Sequence, residues 1–273
     1  MYNKIEELTV ATALITGASG GVGAEIAKIL ANKKYDLILV ARSKEKLEIL
    51  AKDLSENFGI KTHVFIADLT EHGMAEKVFN FCKSGNITVD LLINNAGMGL
   101  FGESVSLKNA DKLIQLNITA LTELCAIFGK EMKNNRSGNI LNIGSLVGNQ
   151  PTAYFASYAA SKSYVLMYSL ALRHELAAFG VNVTCVQPGY IRTDFDNAAL
   201  ITSEKYKKFS YKNGMTAHAV ASIAVKSALA HRSYVRAGIM NKILAFFQGL
   251  VPKNFLAWAL SKSIRDLAEI KVE

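Results

Sequence analysis

The chain of 273 residues contains few cysteines: Cys82, Cys125 and Cys185 lie far apart and form no C-x-x-C pair. Isolated cysteines in apolar, periodic segments favour buried packing and argue against a disulfide framework. The five histidines show no metal-ligand spacing, so no metal is expected. Glu6 and Glu7 stand where a signal peptide would have its apolar core, which makes the cytoplasm the expected compartment.

Acidic residues are absent from one long segment near the C-terminus. Between Lys205 and Arg265 the sequence has 11 Lys and Arg and no Asp or Glu, whereas the remainder has 20 basic and 23 acidic residues. The net charge of +8 therefore belongs to this segment and not to the whole surface. Its basic residues alternate with apolar ones, and no nucleic-acid recognition motif accompanies them, so nucleic acid is not an expected partner.

No apolar run reaches the roughly 20 residues that a helix needs to span a bilayer. Short apolar runs instead alternate with longer segments of helical period. The apolar runs lack two-residue alternation, which is typical of parallel strands covered on both faces. The predicted strands are residues 10–16, 36–41, 61–67, 89–94, 139–144 and 181–187, and the predicted helices are 22–32, 44–57, 70–83, 109–134 and 156–179.

This alternation predicts an α/β fold: one Rossmann-like, doubly wound parallel sheet flanked by helices. After residue 189 the pattern loosens, and residues 194–214 are typical of a mobile polar loop with two short helices, the usual place for a substrate lid. A helix over 217–231 and a short strand over 233–236 follow. Residues 1–238 are thus the predicted dinucleotide-binding and catalytic domain. Residues 239–273 are a predicted C-terminal amphipathic helical extension, with helices over 239–251 and 255–264 broken at Pro252.

A glycine-rich turn joins the first strand to the first helix, with Gly17, Gly21 and Gly23 in the spacing G-x-x-x-G-x-G. Glycines allow the backbone to approach a pyrophosphate, and the N-terminus of the following helix favours anions. An ordinary strand-to-helix turn is the alternative. The strand before and the helix after favour a dinucleotide site, with Ser19 and Val22 among its contacts.

Arg42 follows the second strand, where NAD-preferring sites carry Asp or Glu for the ribose 2′-hydroxyl. An acidic residue would repel a 2′-phosphate, whereas an arginine can pair with it. The alternative is a solvated arginine ahead of a helix. We therefore predict NADP(H) as the cofactor.

Tyr158 and Lys162 are four positions apart, which places them one turn apart on one helix face. Reducing a ketone needs an acid for the alkoxide that forms. Matching a tyrosine, with an ordinary pKa of about 10, to neutral pH takes a drop of about three units, or about 4 kcal/mol. An ammonium roughly 4 Å away supplies that much at an effective dielectric of about 20. We therefore expect Lys162 to lower the pKa of Tyr158.

Two further polar residues accompany this pair. Ser145 follows the strand-like run 139–144, and ligands of such sheets bind at the carboxyl ends of strands. Asn117 lies in the apolar phase of a helical segment, where an unbonded amide is costly. An ordinary surface Tyr–Lys pair is the alternative for Tyr158 and Lys162, and the spacing to Ser145 argues against it.

In this order the motifs resemble the short-chain dehydrogenase/reductase family, in its short single-domain branch. The resemblance covers roughly residues 9–236. It rests on Thr16-Gly17-x-x-x-Gly21-x-Gly23, Asp68, Asn94-Asn95-Ala96-Gly97, Asn117, Ser145, Tyr158-x-x-x-Lys162 and Pro188-Gly189. One departure is Gly20, where NADP-preferring relatives often have a basic residue or serine, so phosphate selectivity falls mostly on Arg42.

The resemblance implies roles for these residues. Ser145 orients the substrate carbonyl, Asn117 holds a water in a proton relay to Lys162, and Lys162 also bonds the nicotinamide ribose. The remaining implied cofactor contacts are Asp68 and Leu69 at the adenine, Asn95, Ala96 and Gly97 along the cofactor, Pro188 and Gly189, and Ile191 and Thr193 at the carboxamide.

The expected function is NADP(H)-dependent interconversion of a ketone and a secondary alcohol on a lipophilic oxoacyl, steroid or aliphatic compound. The alternative is a non-catalytic NADP(H)-binding sensor or scaffold. Family relatives commonly pair through the two long helices, so a homodimer or homotetramer is expected. The apolar stripe of the C-terminal helices leaves three alternatives: packing on the core or a partner subunit, lying on an anionic membrane as a peripheral contact, or covering a hydrophobic substrate.

Overall fold

The computed structural model describes residues 10–270, apart from the side chains of residues 244 and 245. The first nine residues, where no signal peptide is predicted, lie outside the described residues. So do the last three residues of the predicted extension and the side chain of Leu244 from its apolar stripe.

Within this range one parallel sheet has seven strands in the order β3-β2-β1-β4-β5-β6-β9. These strands are β1 (Thr12–Thr16), β2 (Asp36–Ala41), β3 (Thr62–Ile66), β4 (Leu91–Asn94), β5 (Gly138–Ile143), β6 (Val181–Gln187) and β9 (Tyr234–Arg236). A separate parallel pair consists of β7 (Ile191–Arg192) and β8 (Met215–Thr216).

Helices connect the strands and cover both faces of the sheet. They are α1 (Gly21–Asn32), α2 (Lys44–Phe58), α3 (Met74–Ser84), α4 (Ala110–Ile114), α5 (Leu121–Asn135), α6 (Ala156–Leu176), α7 (Phe195–Ala198), α8 (Glu204–Asn213), α9 (Ala217–Leu229), α10 (Ile239–Leu250) and α11 (Lys253–Ala268). Short 3₁₀ turns occupy Leu146–Asn149 and Ala177–Phe179.

Neighbouring side chains of one strand pack into hydrophobic cores on opposite faces of the sheet. In β2, Ile38 packs with residues of α3, α5 and α6, whereas Leu39 packs with residues of α1, α2 and α9. All four adjacent central side chains Leu37, Ile38, Leu39 and Val40 are fully buried. A strand with apolar side chains on both faces needs a helical layer on each side, so the predicted doubly wound α/β fold is confirmed.

The predicted helix over 109–134 is wrong in one respect, because a π-helical turn at Gln115–Ala120 separates α4 from α5. Asn117 is at the middle of this turn and is almost completely buried. Its side chain bonds the backbone of Met98 instead of facing apolar neighbours. Such π-helical insertions occur frequently at functional sites.

The lid segment contains the two expected short helices, α7 and α8, and they pack onto the protein through aromatic side chains. Tyr206 of α8 is only 4% exposed and lies in a cluster with Phe155, Ala199 and Ile201. The chain break at Pro252 is where the sequence predicts it, but α11 continues to Ala268 and not to residue 264. The division of the chain at residue 238 stays a prediction, and α10 begins at the next residue.

The order of the strands creates a crevice at one edge of the sheet. From β1 the chain proceeds through β2 and β3 in one direction and then returns to β4 on the other side of β1. Ligands of open α/β sheets bind outside the carboxyl ends of the strands at such a switch point. The glycine-rich turn follows β1, Asn95 follows β4 and Ser145 follows β5, so the predicted motifs meet at this edge.

Candidate active site

The glycine-rich turn approaches the segment after β4 too closely for side chains. Gly17 has a φ of 66°, and a Cβ added to it would lie 2.9 Å from Ala96 Cα. A Cβ on Gly23 would overlap the carbonyl oxygen of Gly17 and lie 2.6 Å from Asn95 Nδ2. Both positions therefore require glycine, one for conformation and both for space.

Hydrogen bonds hold the two loops together. The Thr16 hydroxyl oxygen accepts bonds from the backbone nitrogens of Asn95 and Ala96, each 3.0 Å long. The Asn95 side chain donates to the carbonyl oxygens of Thr16 and Gly17 at 3.0 and 3.1 Å. The turn is thereby fixed in shape before any ligand arrives.

The N-terminus of α1 can receive an anion. Its N-cap is Gly20, which offers no capping side chain, and the first turn contains no acidic residue. The unpaired amides and the helix dipole at such an end attract a phosphate. Thr193 lies opposite, because a Cβ on Gly21 would be 3.4 Å from its Cγ2. The glycine-rich turn and this helix N-terminus therefore fit a dinucleotide pyrophosphate, with Thr193 beside them.

Arg42 lies at the rim of this crevice with 75% of its side chain exposed, and its Nη1 is 3.7 Å from Asp68 Oδ2. Burial raises the pKa of Asp68, but hydrogen bonds from Thr70 and the charge of Arg42 outweigh this effect, so the pKa is below its usual value. Leu69 is buried in the core. The guanidinium is thus accessible to a ligand phosphate.

Asn117 and Lys162 converge on Gly97. A Cβ on Gly97 would lie 3.3 Å from both Asn117 Oδ1 and Lys162 Nζ. Asn117 accepts a bond from Met98 N at 2.9 Å and donates to Met98 O at 2.9 Å and to Ser161 Oγ at 3.0 Å. Lys162 Nζ donates to Ile143 O at 3.0 Å. Two residues of the predicted set, Asn117 and Lys162, are therefore brought together at the ends of β4 and β5.

Ser145 and Tyr158 complete this set. Ser145 caps a 3₁₀ turn, where its Oγ accepts a bond from Val147 N at 3.4 Å. Its backbone carbonyl accepts from Gln187 Nε2 at 3.2 Å, and Pro188 O accepts from Leu146 N at 2.8 Å. These bonds anchor the strand end that presents the Ser145 hydroxyl toward Tyr158.

The pKa of Tyr158 differs from the prediction. Burial raises it to about 12, and an interaction with the Ser145 side chain lowers it only in part. Lys162 Nζ is 5.8 Å from the centre of the Tyr158 ring and bonded to Ile143 O, so it does not offset the desolvation of a phenolate. The prediction that Lys162 lowers the pKa of Tyr158 by about three units is therefore wrong. Burial also lowers the pKa of Lys162 itself, to about 8, against a smaller opposing effect of Cys185.

An aromatic cluster forms a wall beside Tyr158. The ring centres of Phe195 and Phe155 are 5.4 and 5.9 Å from that of Tyr158. Phe101 extends the wall at 4.9 Å from Phe155, and Tyr206 is 5.8 Å from Phe101. The Phe195 ring also fills the space beside Gly99, where a Cβ would come within 2.6 Å of it. One side of the Tyr158 ring is therefore bordered by aromatic side chains.

Several residues of the site were not identified from the sequence. Ser161 bonds Asn117 and the Tyr158 carbonyl, and its place directly before Lys162 was the one available signal. Met98 and Ile143 contribute only backbone atoms, so the identity of their side chains gives no sign of this role. Phe195 lies within the segment predicted to be a substrate lid, but its position against Tyr158 depends on how the loop folds back.

Comparisons with known proteins agree with this geometry. A sequence profile described as short chain dehydrogenase matches residues 11–203. The chain belongs to the short-chain dehydrogenase/reductase family. The predicted family membership is confirmed, and with it the assignment to a family of oxidoreductases. The match includes every predicted site residue, while the roles of the individual residues stay predictions.

Three similar proteins illustrate the range of this family. A very-long-chain 3-oxoacyl-CoA reductase of Anas platyrhynchos is 28% identical over 92% of this chain and 75% of its own length. A 3-oxoacyl-acyl-carrier-protein reductase of Rickettsia bellii is 34% identical over 81% of this chain and 91% of its own. A short-chain dehydrogenase from Sphingobium yanoikuyae, solved in complex with NADPH, is 32% identical with a TM-score of 0.77, covering 88% and 94% of the two chains. Some matched relatives are longer, and the chain spans 65% and 55% of the length of two of them.

Proposed function

We propose that the protein is an NADP(H)-dependent reductase of lipophilic ketones, with Tyr158 as the proton donor. The observation that carries this proposal is the convergence of Asn117, Ser145, Tyr158 and Lys162 at the carboxyl edge of the sheet, beside a glycine turn and a helix N-terminus that suit a pyrophosphate. A scaffold has no need for four polar groups in this arrangement. The NADPH complex of the Sphingobium relative supports the cofactor.

When bound, the nicotinamide supplies the hydride that reduces the carbonyl carbon. Gly17, Gly23 and the N-terminus of α1 would hold the pyrophosphate, and Thr193 would lie beside it. Arg42 would pair with a 2′-phosphate, since its guanidinium is exposed at the rim. Lys162 Nζ would hold a ribose hydroxyl while it remains bonded to Ile143 O.

The raised pKa of Tyr158 suits this phenol to act as a proton donor. With a pKa of about 12 the phenol is protonated at neutral pH and can donate a hydrogen bond to a carbonyl oxygen. The alkoxide that forms is a much stronger base than a phenolate, so proton transfer from the phenol to it is downhill. Oxidation would need the phenolate, which burial disfavours. Ser145 would orient the carbonyl oxygen toward the phenol.

The substrate class follows from the aromatic wall. Phe155, Phe195 and Phe101 border the phenol and offer apolar contact surface to a substrate beside the reacting carbonyl. The names of the relatives include 3-oxoacyl reductases, which supports an oxoacyl, steroid or bulky aliphatic ketone. Short polar ketones would leave this wall without contacts and should react poorly.

The test follows NADPH consumption with a panel of bulky lipophilic and short polar ketones. Tyr158→Phe should lower kcat at least about 100-fold while leaving the affinity for NADPH largely unchanged, because only the acid is lost. The matched control is Tyr164→Phe, an exposed tyrosine on the same helix, which should retain activity. Retained turnover in Tyr158→Phe would remove Tyr158 as the acid. NADPH binding without turnover of any ketone by the native protein would favour the sensor alternative.

We further propose a homodimer formed through α5 and α6. Met167 and Tyr164 are 61% and 36% exposed on α6, and the Tyr164 hydroxyl is 2.9 Å from Thr122 Oγ1 of α5. These contacts join the two helices into one surface with exposed apolar side chains. We keep the cytoplasm as the proposed compartment, since all three cysteines are free thiols.

A further inference from the structure

The helix α10 has its polar side chains against the protein and its apolar side chains in solvent. Gln248 is 8% exposed, and Asn241 is half-buried against the backbone of Gly189. On the opposite side, six apolar side chains are 46–75% exposed: Ile239, Met240, Ile243, Phe246, Phe247 and Leu250. At about 100° per residue they fall within a stripe of about 120°. An amphipathic helix in this orientation presents a hydrophobic surface to whatever lies outside the protein.

The next helix extends this surface with aromatic side chains. In α11, Leu256 is buried, while Phe255 and Trp258 are exposed and their rings are 5.7 Å apart. Trp258 is 62% exposed and is the single tryptophan of the sequence. Large exposed apolar patches on a folded protein mark interaction sites. We call the six residues of α10 together with Phe255 and Trp258 the outer apolar face.

The charge around this face is mostly positive, with two lysines beside it and one carboxylate, that of Asp266 on α11. Lys242 lies beside the stripe on α10, and Lys262 lies on α11 on the same side as Phe255 and Trp258. Both lysines are exposed, and the sequence between Lys205 and Arg265 contains no acidic residue. Apolar and aromatic side chains flanked by cations are the physical pattern of a helix that lies in the interface of an anionic bilayer.

A second copy of the chain would be a poor occupant of the same face. In a twofold interface the same patch meets itself, so the lysines of the two copies would approach each other. Asp266 is the one carboxylate beside the face against two lysines, so the two copies would bring together surfaces of the same net charge, which opposes association. Within residues 10–270, no helix has the length and apolar character to cross a membrane.

We propose that the outer apolar face docks on the surface of an anionic lipid bilayer. The proposal is independent of the proposed function, since it concerns only the outer side of α10 and α11. It has a consequence for the site, because the same helices are attached to the segment after Ser145. Lys253 Nζ donates to Asn149 O at 2.7 Å, and Asn241 packs on Gly189. Docking would therefore place the catalytic edge of the sheet close to the lipid.

The test uses the full chain and vesicles of phosphatidylcholine, with or without phosphatidylglycerol. The native protein should sediment with the anionic vesicles at low salt, and Trp258 fluorescence should shift to shorter wavelength. The double variant Phe246→Ser/Phe247→Ser should bind at least about tenfold more weakly, because two large apolar side chains are lost. Lys242→Glu should weaken binding to the anionic vesicles alone.

The matched control is Ile49→Ser/Ile66→Ser, which removes two exposed apolar side chains from other parts of the surface and should bind as the native protein does. Equal binding to both kinds of vesicle, or an unshifted Trp258 spectrum, would overturn the proposal. The proposal would also be overturned if the Phe246→Ser/Phe247→Ser variant had a lower mass in solution than the native protein but bound vesicles equally well, because the face would then join two copies of the chain. None of these measurements requires NADPH or a ketone, so failure of the proposed function would not affect them.

Discussion

Lys162 is expected to destabilise the fold that contains it. Its side chain is 6% exposed, and burial lowers its pKa from 10.5 to about 8. A shift of this size corresponds to a cost of about 3 kcal/mol for keeping the ammonium charged in the folded protein at neutral pH. A methionine has nearly the same length and no charge. It would remove this cost and also the bond to Ile143 O, which is worth about 1 kcal/mol.

Lys162→Met should therefore raise the free energy of unfolding at pH 7 by about 2 kcal/mol and abolish turnover. The sign of the pH dependence follows from the two pKa values. Between about 8 and 10.5 the unfolded chain binds a proton at Lys162 that the folded protein has lost, so native stability rises with pH across this window. In the variant this contribution is missing, and the stability difference between the two proteins shrinks from pH 8 to 10.5.

The assay is urea unfolding of both proteins at several values of pH, followed by circular dichroism. The control is Lys226→Met on α9, an exposed lysine whose replacement should change the free energy of unfolding by less than about 0.5 kcal/mol. A Lys162→Met protein that is less stable than the native one at pH 7 would refute the reasoning. A stability difference that stays constant from pH 8 to 10.5 would refute it as well.

Two further predictions concern the cofactor and the assembly. Arg42→Asp should shift the preference from NADPH toward NADH by about 10- to 100-fold in kcat/KM, because a charge-assisted bond to the 2′-phosphate becomes a repulsion. The control Lys52→Asp on α2 should leave the preference unchanged. An unchanged preference in Arg42→Asp would mean that other residues select the cofactor. Met167→Glu should convert a dimer into a monomer in sedimentation analysis, because it puts like charges opposite each other in a twofold contact, and a native protein that is already monomeric would contradict the proposed pairing.

Most of the fold was predictable because its signals are local. The strand 36–41 is an apolar run that follows Asp36 and ends before Arg42, and the structure has the strand at the same bounds. The glycine spacing 17, 21 and 23 indicates a close backbone approach, which is found between Gly17 and Ala96. Strand order follows from the alternation with helices, because right-handed crossovers leave few arrangements.

Other features could not be predicted, because they depend on what surrounds a residue. The orientation of α10 is one example, since its apolar stripe is visible in the sequence but its outward direction is not. The π-helical turn at Asn117 is another, since it accompanies bonds to backbone atoms of Met98. The pKa of Tyr158 was predicted in the wrong direction, because helical spacing gives the distance between two residues but not the desolvation of either.

By itself the sequence determined the doubly wound sheet, the family and the set of polar residues at its carboxyl edge, because periodicity and motif spacing act over a few neighbouring residues. Only the tertiary structure decided that Tyr158 is a weak acid held against Phe155 and Phe195, that Lys162 is nearly buried, and that α10 turns its apolar side outward. Desolvation, ring contacts and exposure arise between segments far apart in the chain, so they exist only once those segments are packed together.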